Sequence, residues 1–474
     1  MVLERLLIRG GHVVTLDAEL GEFPDGDVLI EGEKIAEIGH HLDAGNCEVV
    51  DATGKIVIPG FVDTHRHTWQ TPTRGLGADF MVQEYRSCVK GFIGPNVRPE
   101  DVYAGTLAGA LEALDSGITT LVDWAHIMNS PEHADASIDA LEAAGLRAVF
   151  AFGTPSDKNT DAWYKDSALP HPHDVRRIRN DRLSSDTGLI TLALAVRPPH
   201  IVQHDVMVHD WQLARELGIR LTSDAGIGGG TWSGIKWGPG GHQPLHDLQR
   251  AGLLGPDTTY VHCNNLPDED LKLIADSGGS ISTSPDAEMH VGHCFSVMGR
   301  AVAHGIRPAL SIDIVCQVAG DMFGAMRTVL ASERGLVGAR CYADGVGPGP
   351  WEITTKDVLE FATIAGARAS GLGDRVGTLV PGKQADLLLI DAHALNLLPM
   401  NNAIGLVVLQ AHPGNVDSVY VAGRAVKRDG RLVHVDLRRV RELVNASRDH
   451  LFAAGGITPG WGYRPPELAD QWRW

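Results

Sequence analysis

The chain has 474 residues, with 41 Lys and Arg against 59 Asp and Glu, a formal net charge of −18 and 43% hydrophobic residues. That length exceeds one small domain and fits a barrel of about 250 residues with a satellite domain. The acidic balance argues against nucleic acid or an anionic membrane as partner and favours a small neutral or cationic molecule, unless it serves solubility alone.

The N-terminal "MVLERLLIRGGHVVTLD" carries charges inside its apolar run and reads as a first strand, not a secretion leader. No window approaches about 18 uninterrupted apolar residues. Six cysteines without a CxxC pair point to a reduced, cytoplasmic setting. Residues 1–58 read as short strands and turns, and 376–435 repeat that character. Each is too short for a core of its own, so the two ends are expected to pair into one small composite β-sandwich.

Between them, over 59–375, β-rich runs alternate with amphipathic helices. The runs are 56–62, 118–124, 146–153, 189–196, 219–223, 258–262, 279–284 and 307–313. In "SPEHADASIDALEAAG", Ser130 is placed as N-cap, Pro131 at the first helical position and Gly145 as the stop. Eight such units predict an α/β fold with a closed (β/α)₈ TIM-type barrel. An open doubly wound sheet is the alternative, but it would carry a Gly-rich phosphate turn where "FVDTHRH" stands. Residues 336–352 read as a loop beside the barrel mouth, and 436–474 as a helical or extended tail.

Chemistry in such a barrel gathers where the strands end. Here five of the eight runs end in metal-competent residues. The first ends in His65 and His67, which share a face because a strand alternates its side chains. The second ends in Asp123, Trp124 and His126, the fifth in Ser223 and Asp224, the sixth in His262 and the eighth in Asp313. Each has a bland reading too: a surface HxH pair, a satisfied core histidine, an N-capping aspartate, first-turn capping in place of pocket lining. Asp63 is placed to orient a ligand imidazole.

Taken together, "PGFVDTHRH", the histidine of "YVHCNN", the aspartate of "LSIDI" and the tail "GTLVPGKQADLLLID" resemble the amidohydrolase superfamily. The similarity is to the branch of cytosine deaminase, guanine deaminase and the triazine hydrolases, and it spans roughly residues 1–435. The resemblance implies a barrel with a composite sandwich and one divalent metal ion per subunit, zinc first, with iron or manganese as alternatives. It implies His65, His67 and Asp313 as ligands, His262 as the residue that holds or activates water, and Asp313 as a proton carrier as well. Dinuclear members use a carboxylated lysine on a middle strand. No lysine lies between Lys165 and Lys236, which favours one metal.

In the family the fifth strand ends in His, often with Glu three residues on. "RLTSDAGIG" has Asp224 and Ile227 in those places. Asp224 then replaces the histidine in an oxygen-richer set, or a neighbour such as His126 or His290 fills in, or the metal is lost. The missing glutamate counts against cytosine or guanine as substrate. Glu288 in "SPDAEMHVGH" is its substitute or a surface charge. Gln70, Trp124, His126 and Glu288 are expected at the substrate, with Trp69 nearby. Trp232 and Trp237, on a Gly-rich excursion that reads as a lid, suit a flat ligand or rim packing. The expectation is a metal-dependent hydrolase of a C–N or C–X bond in a small heterocyclic or aromatic compound, assembled as a homodimer or larger homo-oligomer. A metal-free lyase, isomerase or cyclase on the same scaffold is the alternative, and a ligand-binding protein on a dead scaffold the third reading.

Overall fold

The apolar run 56–62, expected as one strand, is two. Lys55–Pro59 joins a mixed sheet and Phe61–Arg66 opens the barrel. Pro59 has no N–H to extend the first ladder. At Gly60 a Cβ would lie 2.0 Å from Thr119 Oγ1, so only glycine lets the chain pass between the two sheets.

The computed structural model describes residues 5–226, 243–458 and 460. Eight parallel strands follow in chain order: Phe61–Arg66, Ile118–Ala125, Arg147–Phe152, Ile190–Val196, Arg220–Ala225, Thr258–His262, Ser280–Thr283 and Ala309–Leu310. The last is much shorter than the expected 307–313, because the chain turns out of the strand and reaches φ +67° at Asp313. That turn closes the ring. Asp313 N donates to His65 O at 2.8 Å, and His67 N donates to Asp313 O at 3.0 Å.

Helices cover the outside. Pro131–Ala144 starts on proline after an extended Ser130 and stops at Gly145, φ +74°. Ser130 does not cap with its side chain; the hydroxyl bonds Glu132 and His133 instead. The helix Met322–Ala343 runs through the first half of the 336–352 stretch that read as a loop. Its residues Met322, Met326 and Val329 are buried facing the barrel, which extends the helical register. The tail forms the amphipathic helix Leu437–Ala454. No helix among the described residues is long and apolar enough to cross a membrane, and all six cysteines are unpaired.

The termini build a nine-stranded mixed sheet from five N-terminal and four C-terminal strands, joined where Lys55–Pro59 pairs antiparallel with Leu387–Asp391. The far edge strand Lys34–Gly39 curls back to bond residues 382–385, with Ile35 N donating to Lys383 O and Gly382 N to Ile35 O. A buried bidentate pair, Arg147 Nε to Asp386 Oδ2 at 2.8 Å and Nη2 to Oδ1 at 3.0 Å, pins the barrel floor to this sheet.

Candidate metal centre at the barrel mouth

Five side chains from four strand ends converge. One group, His65, His67 and Asp313, and a second, His65, Asp224 and His262, each place one ligand atom per residue within 4.8 Å of the others, and they share His65. Asp313 Oδ1 lies 3.4 Å from His65 Nε2 and 3.2 Å from His67 Nε2, while its Oδ2 lies 4.0 Å from His262 Nε2. His262 and Asp313 both adopt left-handed backbone, φ +71° and +67°, which swings their side chains off their strands toward the axis.

The donor atoms suit a divalent cation. His67 Nδ1 donates to Trp124 O at 2.8 Å, leaving the Nε2 lone pair inward. His262 Nδ1 faces Glu288 Oε1 at 3.1 Å, leaving its Nε2 toward Asp313. Both ring nitrogens of His65 and Asp224 Oδ1 are buried with no hydrogen-bond partner. Buried polar atoms left in this state need a partner, and a metal ion supplies one.

Electrostatics follow the geometry. Burial pushes the His65 imidazole down. Burial also opposes ionisation of Asp313, but the imidazoles of His65, His67 and His262 gathered around it outweigh burial and hold the carboxyl well below its usual range. Burial opposes the charged form of His262 as well; the bond to Glu288 and the charges of Asp313 and Asp224 win, lifting it to about 9. Burial holds His126 well below the ordinary imidazole range, with His67 acting in the same direction.

Some expected roles shift. Glu288 is neither a surface charge nor at the cavity wall: it is fully buried beneath His262 and accepts from Asn264 Nδ2, Thr283 Oγ1 and Ser284 N. Gln70 lies behind the wall, with its Nε2 donating to Tyr85 Oη at 2.7 Å. Trp124 packs its ring against His65 and His67, centroids 5.1 and 5.3 Å away, and backs both imidazoles. Asp63 grips backbone, accepting from Ile312 N at 3.1 Å and His65 N at 3.4 Å, not an imidazole. Burial pushes its carboxyl up to about 7. Asp123 ties the turn after the first strand, through Thr68, to Ser137 of the helix Pro131–Ala144 and does not line the cavity. His290 is exposed, bonded to Ala78 O, and stands outside both His/Asp groups. His126 does line the cavity, stacked on His67 at 3.9 Å and 11°. Ile227, Trp232 and Trp237 lie outside the described residues.

The cavity wall also holds residues that sequence reasoning missed: Tyr85, Arg86, Lys90 and His293. Arg86 and Lys90 stand one helical turn apart on Arg86–Ile93, with Lys90 Nζ 4.1 Å over the Tyr164 ring. Burial draws Lys90 down to about 7. The i, i+4 spacing of the two cations after the first strand was the available signal.

A family model described as Amidohydrolase family matches residues 56–426. The 5-methylthioadenosine/S-adenosylhomocysteine deaminase of Symbiobacterium thermophilum is 30% identical over 438 residues, spanning 90% of this chain and 94% of that one. The 5'-deoxyadenosine deaminase of Methanothermobacter thermautotrophicus is 28% identical over 453 residues, spanning 94% and 99%. Among solved structures, an adenosine deaminase from Xanthomonas campestris with bound zinc superposes with a TM-score of 0.79 at 22% identity, covering 94% of this chain and 98% of that one. Atrazine chlorohydrolase from Arthrobacter aurescens, complexed with zinc, gives 0.80 at 22% identity, covering 94% and 100%. At these identities the structural likeness speaks to fold alone.

Proposed function

The chain belongs to the amidohydrolase family, and from that premise we propose that it is a metal-dependent deaminase of adenosine-like nucleosides, a hydrolase of a carbon–nitrogen bond other than a peptide bond. The observation that carries this reading is the pair of His/Asp groups sharing His65 at the carboxyl ends of the barrel strands. Relatives of near-equal length deaminate 5'-deoxyadenosine or 5-methylthioadenosine and S-adenosylhomocysteine by name, which supports the nucleoside class. His65, His67 and Asp313 would hold the ion, with Asp224 completing the set. Zinc is the ion proposed, since it accompanies two structures of the same fold and suits a nitrogen-rich site.

When bound, such an ion acts as a Lewis acid and lowers the pKa of a coordinated water to about 7. The protein's own groups move the protons. Deamination takes one proton from the attacking water and gives one to the departing amine. Asp313 faces the ligand imidazoles through one oxygen and His262 through the other, so it is placed to accept the first proton and pass it on. Glu288 fixes His262 with Nε2 inward. Tyr85 and Val82 line the cavity and would offer apolar surface to a flat base.

The test is direct. Protein loaded with zinc, and separately with iron or manganese, is offered 5'-deoxyadenosine, 5'-methylthioadenosine, S-adenosylhomocysteine and adenosine while ammonia is measured. Ammonia release that disappears on metal removal and returns on reloading is the expected result. No ammonia from any compound with any metal overturns the proposal.

A further inference from the structure

His126 has a ring nitrogen with nothing to bond. Its Nδ1 lies 3.0 Å from Trp69 Nε1. An indole N–H is a donor and nothing else, so Nδ1 must accept. An imidazole accepting at Nδ1 is neither the imidazolium nor the Nδ1–H tautomer, and its single proton sits on Nε2. Nε2 is buried without a hydrogen-bond partner, on a residue only 1% exposed. The ring lies flat on His67, and it lines the same cavity as Asp224, His262 and Asp313. A buried donor of fixed sense therefore stands unsatisfied one ring-thickness from a ligand imidazole. Such a group calls for an acceptor.

We propose that His126 is a specificity-determining residue that reads an acceptor atom of the substrate through Nε2–H, and that Trp69 is a positioning residue that fixes the tautomer. The substrate then presents an unprotonated ring nitrogen toward His126. A compound carrying C–H or N–H at that position is refused. The inference rests on the nucleoside deaminase reading and narrows it to heterocycles with a free in-plane acceptor near the reacting carbon. His67 cannot substitute as reader, because its Nδ1 is committed to Trp124 O.

Two measurements test this on the zinc-loaded protein. In the first, calorimetry gives the affinity of an adenosine-like ligand and of its 1-deaza, 3-deaza and 7-deaza analogues, each lacking one ring acceptor. One analogue is expected to bind about tenfold to a hundredfold more weakly to the wild type. In His126→Phe the natural ligand should weaken to the level of that analogue, so the difference vanishes. No discrimination by the wild type, or discrimination that survives His126→Phe, overturns the proposal.

The second needs no ligand. Nitrogen-15 NMR of histidine-labelled protein, with His126 assigned by its disappearance in His126→Phe, should show Nε2 protonated and Nδ1 bare. Trp69→Phe should scramble that tautomer. A protonated Nδ1 in the wild type overturns the proposal. Failure of every adenosine-like compound to bind would sink the functional reading by itself, and the NMR result would still decide the state of His126.

Discussion

Glu288→Gln should change the pH dependence of stability in a way that few substitutions can. The variant keeps shape and removes charge from a group that lies 3.1 Å from His262 Nδ1 and also accepts from Asn264, Thr283 and Ser284. In metal-free wild type, His262 rises from the ordinary 6.5 to about 9, worth about 3 kcal/mol of differential interaction. A histidine whose folded pKa is raised stabilises the fold fully below its unfolded value, and that contribution is lost as pH climbs through the folded one. Stability of the metal-free protein should therefore fall by about 3 kcal/mol between pH 6.5 and 9 from this residue. With the carboxylate gone, only the charges of Asp313 and Asp224 still oppose burial at His262, so Glu288→Gln should flatten that slope. The amide NH₂ would also meet a donor and orphan it, costing about 1–3 kcal/mol at pH 6.5. Urea denaturation of both chelator-treated proteins across this range, compared by difference so that other titrations cancel, is the assay. Equal slopes in the two proteins would refute the coupling.

His65→Asn should abolish metal retention after dialysis, because both ligand groups contain it, whereas Asp224→Asn touches one group and should weaken retention about tenfold to a hundredfold; equal losses by elemental analysis would contradict the shared-ligand geometry. Zinc should slow hydrogen exchange at the Asp313 and His67 amides, which close the barrel, and raise the melting temperature by an amount equivalent to about 2.7 kcal/mol at a hundredfold excess over Kd; exchange there indifferent to zinc would place the ion elsewhere. Arg147→Met should cost about 3–5 kcal/mol in urea denaturation by stranding buried Asp386, and Arg147→Met with Asp386→Leu should recover most of it. A double variant no better than the single would mean the pair is not isolated from its neighbours.

The barrel was legible because each strand is an apolar run with a polar end, and a buried parallel strand has no other way to be written. Its edges were less so. The split at Pro59–Gly60 was signalled by the dipeptide but masked by unbroken hydrophobicity on both sides. The eighth strand read too long because apolar residues continue to Ile312 after pairing has ended at Leu310. The side chains that converge at the barrel mouth could be named from their places at strand ends. What lies behind them could not: Glu288 reaches His262 from 26 residues away, from the short helix Pro285–His290 after the next strand. Gln70 looked like a pocket residue and proved to be a brace for Tyr85, because the 3₁₀ turn Thr68–Thr73 rotates it behind the wall. Trp69, read only as a neighbour of the substrate, donates to His126 Nδ1, a contact that strand-end placement does not signal.

The seam of the barrel and the metal centre are one piece of structure. First and eighth strands meet through the backbone of His65, His67 and Asp313, and the side chains of those same residues form one of the two ligand groups. The positive φ at Asp313 serves both ends: it ends the strand early enough for its amide and carbonyl to bridge to the first strand, and it turns the carboxylate inward. A conformation that costs about 1–3 kcal/mol in isolation is thus held by two backbone hydrogen bonds and by the imidazoles its side chain meets. This explains why an HxH that ends at His67 and an aspartate 246 residues later carry meaning only together. Neither is a site until the ring closes, and the ring closes through them.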